Sequence, residues 1–233
     1  SSLIAAAISL FSLREDNNAL YGAIAFCCLF GFTFAALLYE EKKTDVRPRW
    51  YLAILPPALF VLLYMFFGMT PIWLPYLLDL YGLTFAILII LYLGSFFTWR
   101  TSLIFAGLIT VMDIVTVLFT RTMISAVSHI SVLRLPVLVS LPTIPQITTE
   151  SGQIFMSLAL GDFFFAGLLT IQTLKKFGKN LAVLSATATS TSFAIFETLM
   201  LNYEFGAFPG TLMIISGWLP LVLLKSLKKT VSH

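Results

Sequence analysis

Apolar residues run along this chain in long, nearly unbroken stretches, without the half-polar periodicity of a helix or strand that faces water on one side. A helix that crosses roughly 30 Å of hydrocarbon needs about 20 residues free of fixed charge. The stretches that approach this are residues 20–39, 50–68, 73–97, 101–120, 153–174, 181–201 and 206–224, with a shorter one at 1–13. The last of these is too short to span and reads as a truncated first helix. Strict alternation is absent, and in lipid every backbone polar group must find its partner within its own segment, so sheet is not expected. The pattern predicts an all-α fold, a polytopic transmembrane helical bundle.

Pro56, Pro57, Pro75 and Pro220 lie in or beside these runs, where a missing N–H kinks a helix and frees a carbonyl for a neighbour. Connections are short except at 121–152, which holds Arg121, His129, Arg134, Pro136, Pro142 and Pro145 and an apolar stretch at 135–141 too short to span. A loop of that length in a compact protein is often functional. The chain thus divides into N-terminal helices over 1–120, an outward loop over 121–152, and C-terminal helices over 153–233.

Composition agrees with a lipid environment: of 233 residues 59% are hydrophobic and only 11% charged, with mean hydropathy +0.96. No single core could bury that much apolar surface in water. The net charge of +3 does not indicate a nucleic-acid partner, because the basic residues occur as short clusters between runs and never as a basic face. They read instead as topology signals. Counted on alternate sides, 11 of the 14 Lys and Arg fall together, among them Lys42, Lys43, Arg47, Lys175, Lys176 and Lys225, against Arg14, Arg121 and Arg134. The positive-inside rule then places the C-terminus in the cytoplasm of a cell-membrane protein. Cys27 and Cys28 are adjacent in an apolar run and cannot staple distant segments.

None of the basic residues lies inside a run, whereas Asp113 and Asp162 each fall well within one. A carboxylate at the bilayer centre costs at least about 2.5–3.5 kcal/mol on insertion scales, so it faces the bundle interior or a water cavity and usually has a task. Asp113 follows Thr101 by 12 residues and Asp162 precedes Leu174 by 12. At the helical rise, each lies about 18 Å from the same face. Antiparallel neighbours flanking one loop would set the two acids opposite each other, where one proton is shared between them. That is the state aspartyl hydrolysis uses. The ionised acid takes a proton from water while the protonated one polarises the scissile carbonyl, with no metal and no cofactor.

The local sequences sharpen this expectation. Val111-Met112-Asp113-Ile114-Val115-Thr116-Val117, followed by Arg121-Thr122-Met123-Ile124, resembles the first catalytic helix of the presenilin and signal peptide peptidase family of intramembrane aspartyl proteases, particularly its archaeal members. Leu158-Ala159-Leu160-Gly161-Asp162-Phe163 resembles that family's Gly-x-Gly-Asp motif. Its Pro-Ala-Leu signature at the start of the last helix is approximated by Pro220-Leu221-Val222 after Leu219. Met112 stands where the family has Tyr, and Ala159 where it has the first Gly. The resemblance covers about residues 102–224 and implies a presenilin-like bundle of nine helices against the eight runs counted. It also implies a catalytic Asp113/Asp162 dyad, a supporting Gly161 and a substrate-binding Leu219, Pro220 and Leu221, with transmembrane-helix proteins as substrates. Gly161 would admit a close neighbouring helix or leave room for water or substrate beside Asp162.

Other groups weigh less. Asp79 and Glu197 lie near the ends of their runs and are expected to reach the interface. His129 has no second ligand at metal spacing, and neither His-Glu-x-x-His nor Gly-x-Ser-x-Gly occurs. Two other readings use the same acids. A proton-coupled transporter or channel would need them to face alternate sides. A prepilin peptidase would carry cytoplasmic cysteine pairs and a basic residue just after the second Asp, and neither is present.

Overall fold

The computed structural model describes residues 16–42, 51–67, 78–119, 138–142, 148–149, 152–153, 155–203 and 208–231. In chain order these form α1 (Asp16–Lys42), α2 (Tyr51–Phe67), α3 (Leu78–Phe96) and α4 (Trp99–Ile114), which continues as a π-helical turn, Val115–Phe119. Four strands follow: β1 (Leu138–Pro142), β2 (Thr148–Thr149), β3 (Gly152–Gln153) and β4 (Phe155–Ala159). The chain ends in α5 (Leu160–Phe177), α6 (Lys179–Tyr203) and α7 (Gly210–Val231). The described residues therefore hold seven α-helices. The run at 1–13, Pro75 and the segment with Arg121, His129 and Arg134 lie outside them.

Four stretches, Tyr21–Glu40, Leu78–Phe96, Trp99–Phe119 and Gly210–Leu227, are long and apolar enough to cross a membrane, and Ile54–Phe67 is a shorter apolar helix. By length and composition this is a membrane protein. Its outer surface is as apolar as its core, and the core admits polar side chains. Large apolar side chains such as Leu55, Met65, Leu108, Met112 and Leu224 point outward, while Thr170, Gln172, Thr173, Ser185 and Ser190 are buried between helices. Small hydroxylated residues let helices approach where lipid offers no hydrophobic drive to pair. Most of the hydroxyls turn back on their own helix, as Thr110 does on the Ala106 carbonyl at 2.8 Å and Thr189 on that of Ser185 at 2.9 Å.

At the centre stands α5, packed on α1, α3, α4, α6 and α7. Phe163 meets Phe32 of α1 edge to face with centroids 5.3 Å apart. Lower down, the indole N–H of Trp218 in α7 donates to the Thr173 hydroxyl at 2.9 Å, and Trp218 packs on Trp99. At the same end the Gly94 carbonyl of α3 accepts from Gln172 at 3.2 Å and from Lys175 at 2.7 Å. Lys175 also pairs with Glu40 of α1 at 3.2 Å. One basic residue in the last turn of α5 thus ties three helices together and complements the α5 dipole. Gly178 ends α5 at φ 87°, a backbone setting that favours glycine, and returns the chain directly into α6.

The helix boundaries follow local chemistry. Thr98 caps α4 reciprocally with Thr101, whose hydroxyl accepts the Thr98 N–H at 2.8 Å. The helix α2 runs through Pro56 and Pro57, and the Tyr81 hydroxyl of α3 donates to the Pro56 carbonyl at this disturbed turn. A close helix contact joins α6 and α7. A Cβ on Gly217 would run into the Ala188 carbonyl and come within 2.9 Å of the Ser192 Cβ. Neither obstacle is a flexible tip. Gly217→Ala is therefore expected to destabilise the protein by about 1–3 kcal/mol, as overpacking does, read as a lower melting midpoint in detergent.

Two expectations are corrected here. Sheet does occur: β1 pairs antiparallel with β4 from Leu138↔Ala159 to Pro142↔Phe155, and β2 pairs with β3. A segment in lipid need not satisfy its backbone within itself. A hairpin instead satisfies one strand from the other, with Val139 and Leu158 facing each other and buried in the core. The pairing joins residues on both sides of the boundary placed between 152 and 153. It also shortens the sixth apolar run, which is strand up to Ala159 and helix only from Leu160.

Candidate functional site

Because β4 passes straight into α5, Asp162 lies in the first turn of α5 and not midway along a helix. Asp113 lies one residue before the end of regular α4, where the helix widens into its π turn. Such widened turns are frequent at functional sites, since they re-aim side chains. At the helical rise Asp113 is about 21 Å from Trp99, and Asp162 about 22 Å from Phe177. The two acids therefore sit at the same end of neighbouring antiparallel helices, and α4 packs against α5. Both are half-buried.

The two carboxylates converge on the start of α7. Thr211 donates twice to Asp113 Oδ2, from its backbone N–H at 3.1 Å and from its hydroxyl at 2.7 Å. Its neighbour Gly210 presents a bare Cα to Asp162. A Cβ there would run into both carboxylate oxygens and Cγ. Consecutive residues of one helix terminus thus touch the two acids, one through hydrogen bonds and the other by the absence of a side chain. The first amides of a helix lack intrahelical acceptors and carry the positive end of its dipole, which favours negative charge at this spot. Buried Pro209 precedes them, its carbonyl accepting from Leu212 at 3.1 Å. Phe208 stacks on Phe196 of α6 with centroids 5.3 Å apart and fixes the approach of the segment to the bundle.

The acidic groups within electrostatic range of Asp162 are Asp113 and, more weakly, Glu197. Glu197 is half-buried on α6, within electrostatic range of Asp162. Asp79 lies in the first turn of α3. Among the described residues no group of three or more His, Cys, Asp and Glu is placed to hold a metal ion.

The remaining expected site residues fall differently. Gly161 is exposed, and a Cβ on it would meet nothing within 4 Å. It does not serve a close helix approach, and the space beside Asp162 is open. Leu219, Pro220 and Leu221 lie well inside α7. They begin nine residues past Gly210, about 14 Å along the axis, and the structure does not bring them to the carboxylates. The proline at the start of the last helix is Pro209. A Pro followed by Gly at the head of the final apolar run was the available signal, since proline suits the position where a helix begins.

Compared with models of known protein families, with characterised proteins and with solved structures, the chain finds no match.

Proposed function

We propose that this chain is an intramembrane aspartyl protease that hydrolyses peptide bonds within or at the edge of transmembrane helices, with Asp113 and Asp162 as its dyad. The observation that carries the reading is the convergence of both carboxylates on Gly210 and Thr211. Two acids gathered at one helix terminus can act on one water and one carbonyl, which is what hydrolysis requires. Proton-coupled transport calls for carboxylates exposed to opposite sides in turn, and a shared anchor on α7 disfavours that. The resemblance of the two Asp segments to presenilin and signal peptide peptidase sequences supports the same reading, with a presenilin-like bundle and a cytoplasmic C-terminus as its corollaries.

In the mechanism, one proton is shared by the dyad. The ionised carboxylate removes a proton from water as its oxygen attacks the scissile carbonyl, and the protonated carboxyl donates to the developing oxyanion. The tetrahedral diol collapses as the acid that took the water proton passes it to the leaving amine, while one diol hydroxyl returns its proton to the other carboxylate as the new C=O forms, which restores the shared proton. Open space at Gly161 accommodates the substrate backbone. A helical substrate hides its carbonyls in its own hydrogen bonds, so a few residues must unwind before attack. Strand β1 pairs with β4, Leu138 opposite Ala159 three residues before Asp162, and strand addition to the hairpin would hold the unwound segment extended.

The test is cleavage of a labelled transmembrane-helix peptide by the purified protein in liposomes, with strong helix formers introduced around the scissile bond in a second peptide. The first is cut and the second is cut more slowly. Equal rates for the two overturn the unwinding step. Absence of cleavage, together with proton flux that depends on the same acids, overturns the protease reading in favour of transport.

A further inference from the structure

Within the dyad the two acids are held unequally. Asp162 is confined by contact with Gly210, whereas Asp113 is held through two donors on one oxygen, both from Thr211. A torsional movement of the Asp113 carboxylate must break both bonds together. The hydroxyl is available for this because of where Thr211 stands. Threonines inside the helices, such as Thr110, Thr173, Thr187 and Thr198, donate to a carbonyl four residues back in their own helix. Thr211 is the second residue of α7 and has no helical carbonyl behind it. At 8% exposure it is closed off from competing solvent. Two donors aimed at one oxygen suit an ionised carboxylate, since charge-assisted hydrogen bonds are the stronger kind.

Resting on the proteolytic reading above, we propose that Thr211 is a positioning residue that clamps Asp113 as the ionised base of the dyad and leaves the shared proton on Asp162. The backbone N–H sets the direction of Oδ2, and the hydroxyl closes the clamp. The other oxygen, Oδ1, is left to the nucleophilic water. The asymmetry between the acids thus originates in the first turn of α7 and not in the helices that carry them.

The experiment is steady-state cleavage of a labelled transmembrane-helix peptide by the full chain in liposomes, comparing wild type with Thr211→Val, Thr211→Ala and Thr211→Ser. Valine keeps the shape and the backbone N–H and removes only the hydroxyl. Thr211→Val is expected to lower kcat about 10- to 100-fold, the worth of a hydrogen bond to a charged group, with KM within about twofold. Thr211→Ser restores most of kcat, and melting midpoints of the variants stay close to wild type. If Thr211→Val does not fold, Thr211→Ala removes the same hydroxyl with less bulk and serves as the comparison. An active wild type with Thr211→Val and Thr211→Ala at undiminished kcat overturns this inference alone, as does a serine variant as slow as valine. A wild type no more active than Asp113→Asn overturns the proteolytic reading and this inference with it.

Discussion

Asp113→Asn and Asp162→Asn are each expected to lower cleavage of a transmembrane-helix peptide about 10²- to 10⁴-fold, the range over which general acid and base groups act, with the double variant expected to be no slower than either single one. The absence of additivity is the informative part. In a dyad that shares a proton, removing one acid disables both roles, because neither a base without its electrophile nor an electrophile without its base completes the step. The loss is not one of folding. Asparagine has nearly the same shape, and its side-chain carbonyl can still accept from Thr211 at position 113, where the carboxylate now accepts at 2.7 and 3.1 Å. Removing ionisable groups from a low-dielectric site also relieves a desolvation cost. Melting midpoints equal to or above wild type should therefore accompany the loss of activity. Cleavage rates, kcat and thermal unfolding on the same preparations test this. If the two losses multiply, the acids act independently and the shared-proton mechanism is wrong.

Gly210→Ala is expected to abolish most turnover while leaving the bundle folded, and Gly161→Ala to leave the dyad intact, although both glycines adjoin Asp162. At Gly210 the new methyl meets the carboxylate itself. That obstacle is a side chain that can rotate, so the fold yields cheaply, but it yields by moving a reacting group. A displacement of about 1 Å costs on the order of 10²-fold, and the cost falls on kcat. At Gly161 the methyl enters open space. The variant keeps its stability, and if that space receives substrate its effect falls on KM. A kinetic comparison of the two variants separates these cases. Equal kcat for Gly210→Ala and wild type would show that Asp162 does not act from the position it holds.

The different surroundings of Gly161 and Gly210 show where the sequence stops being informative. Gly161 stands beside Asp162 in the chain and attracts attention as part of a motif, but its surroundings are empty. Gly210 is 48 residues away and is the one in contact with the carboxylate. The same holds along α7. Pro220, in an apolar run and followed by Leu, reads from the sequence as the marker of the last helix's start. The helix begins ten residues earlier, after Pro209, and its threonine supplies the hydrogen bonds to Asp113. Glu197 likewise reads as an interface residue by its place in the run, and only the packing of α6 brings it half-buried within electrostatic range of Asp162.

The sequence by itself determined that this is a helical membrane protein, because solvation by lipid acts residue by residue and leaves its mark as run length and charge exclusion. It also singled out Asp113 and Asp162, since a carboxylate with no basic partner in an apolar run stands out without knowledge of its neighbours. It did not reveal the hairpin of β1 and β4, whose backbone is satisfied across the pair and whose apolar residues are indistinguishable by composition from a helical run. Only the tertiary structure decided which helix terminus meets the acids and which residue holds each one. Those contacts join α4 and α5 to α7 across gaps of 98 residues for Asp113 and Thr211 and 48 for Asp162 and Gly210, and no local pattern encodes a distance closed by the packing of the whole bundle.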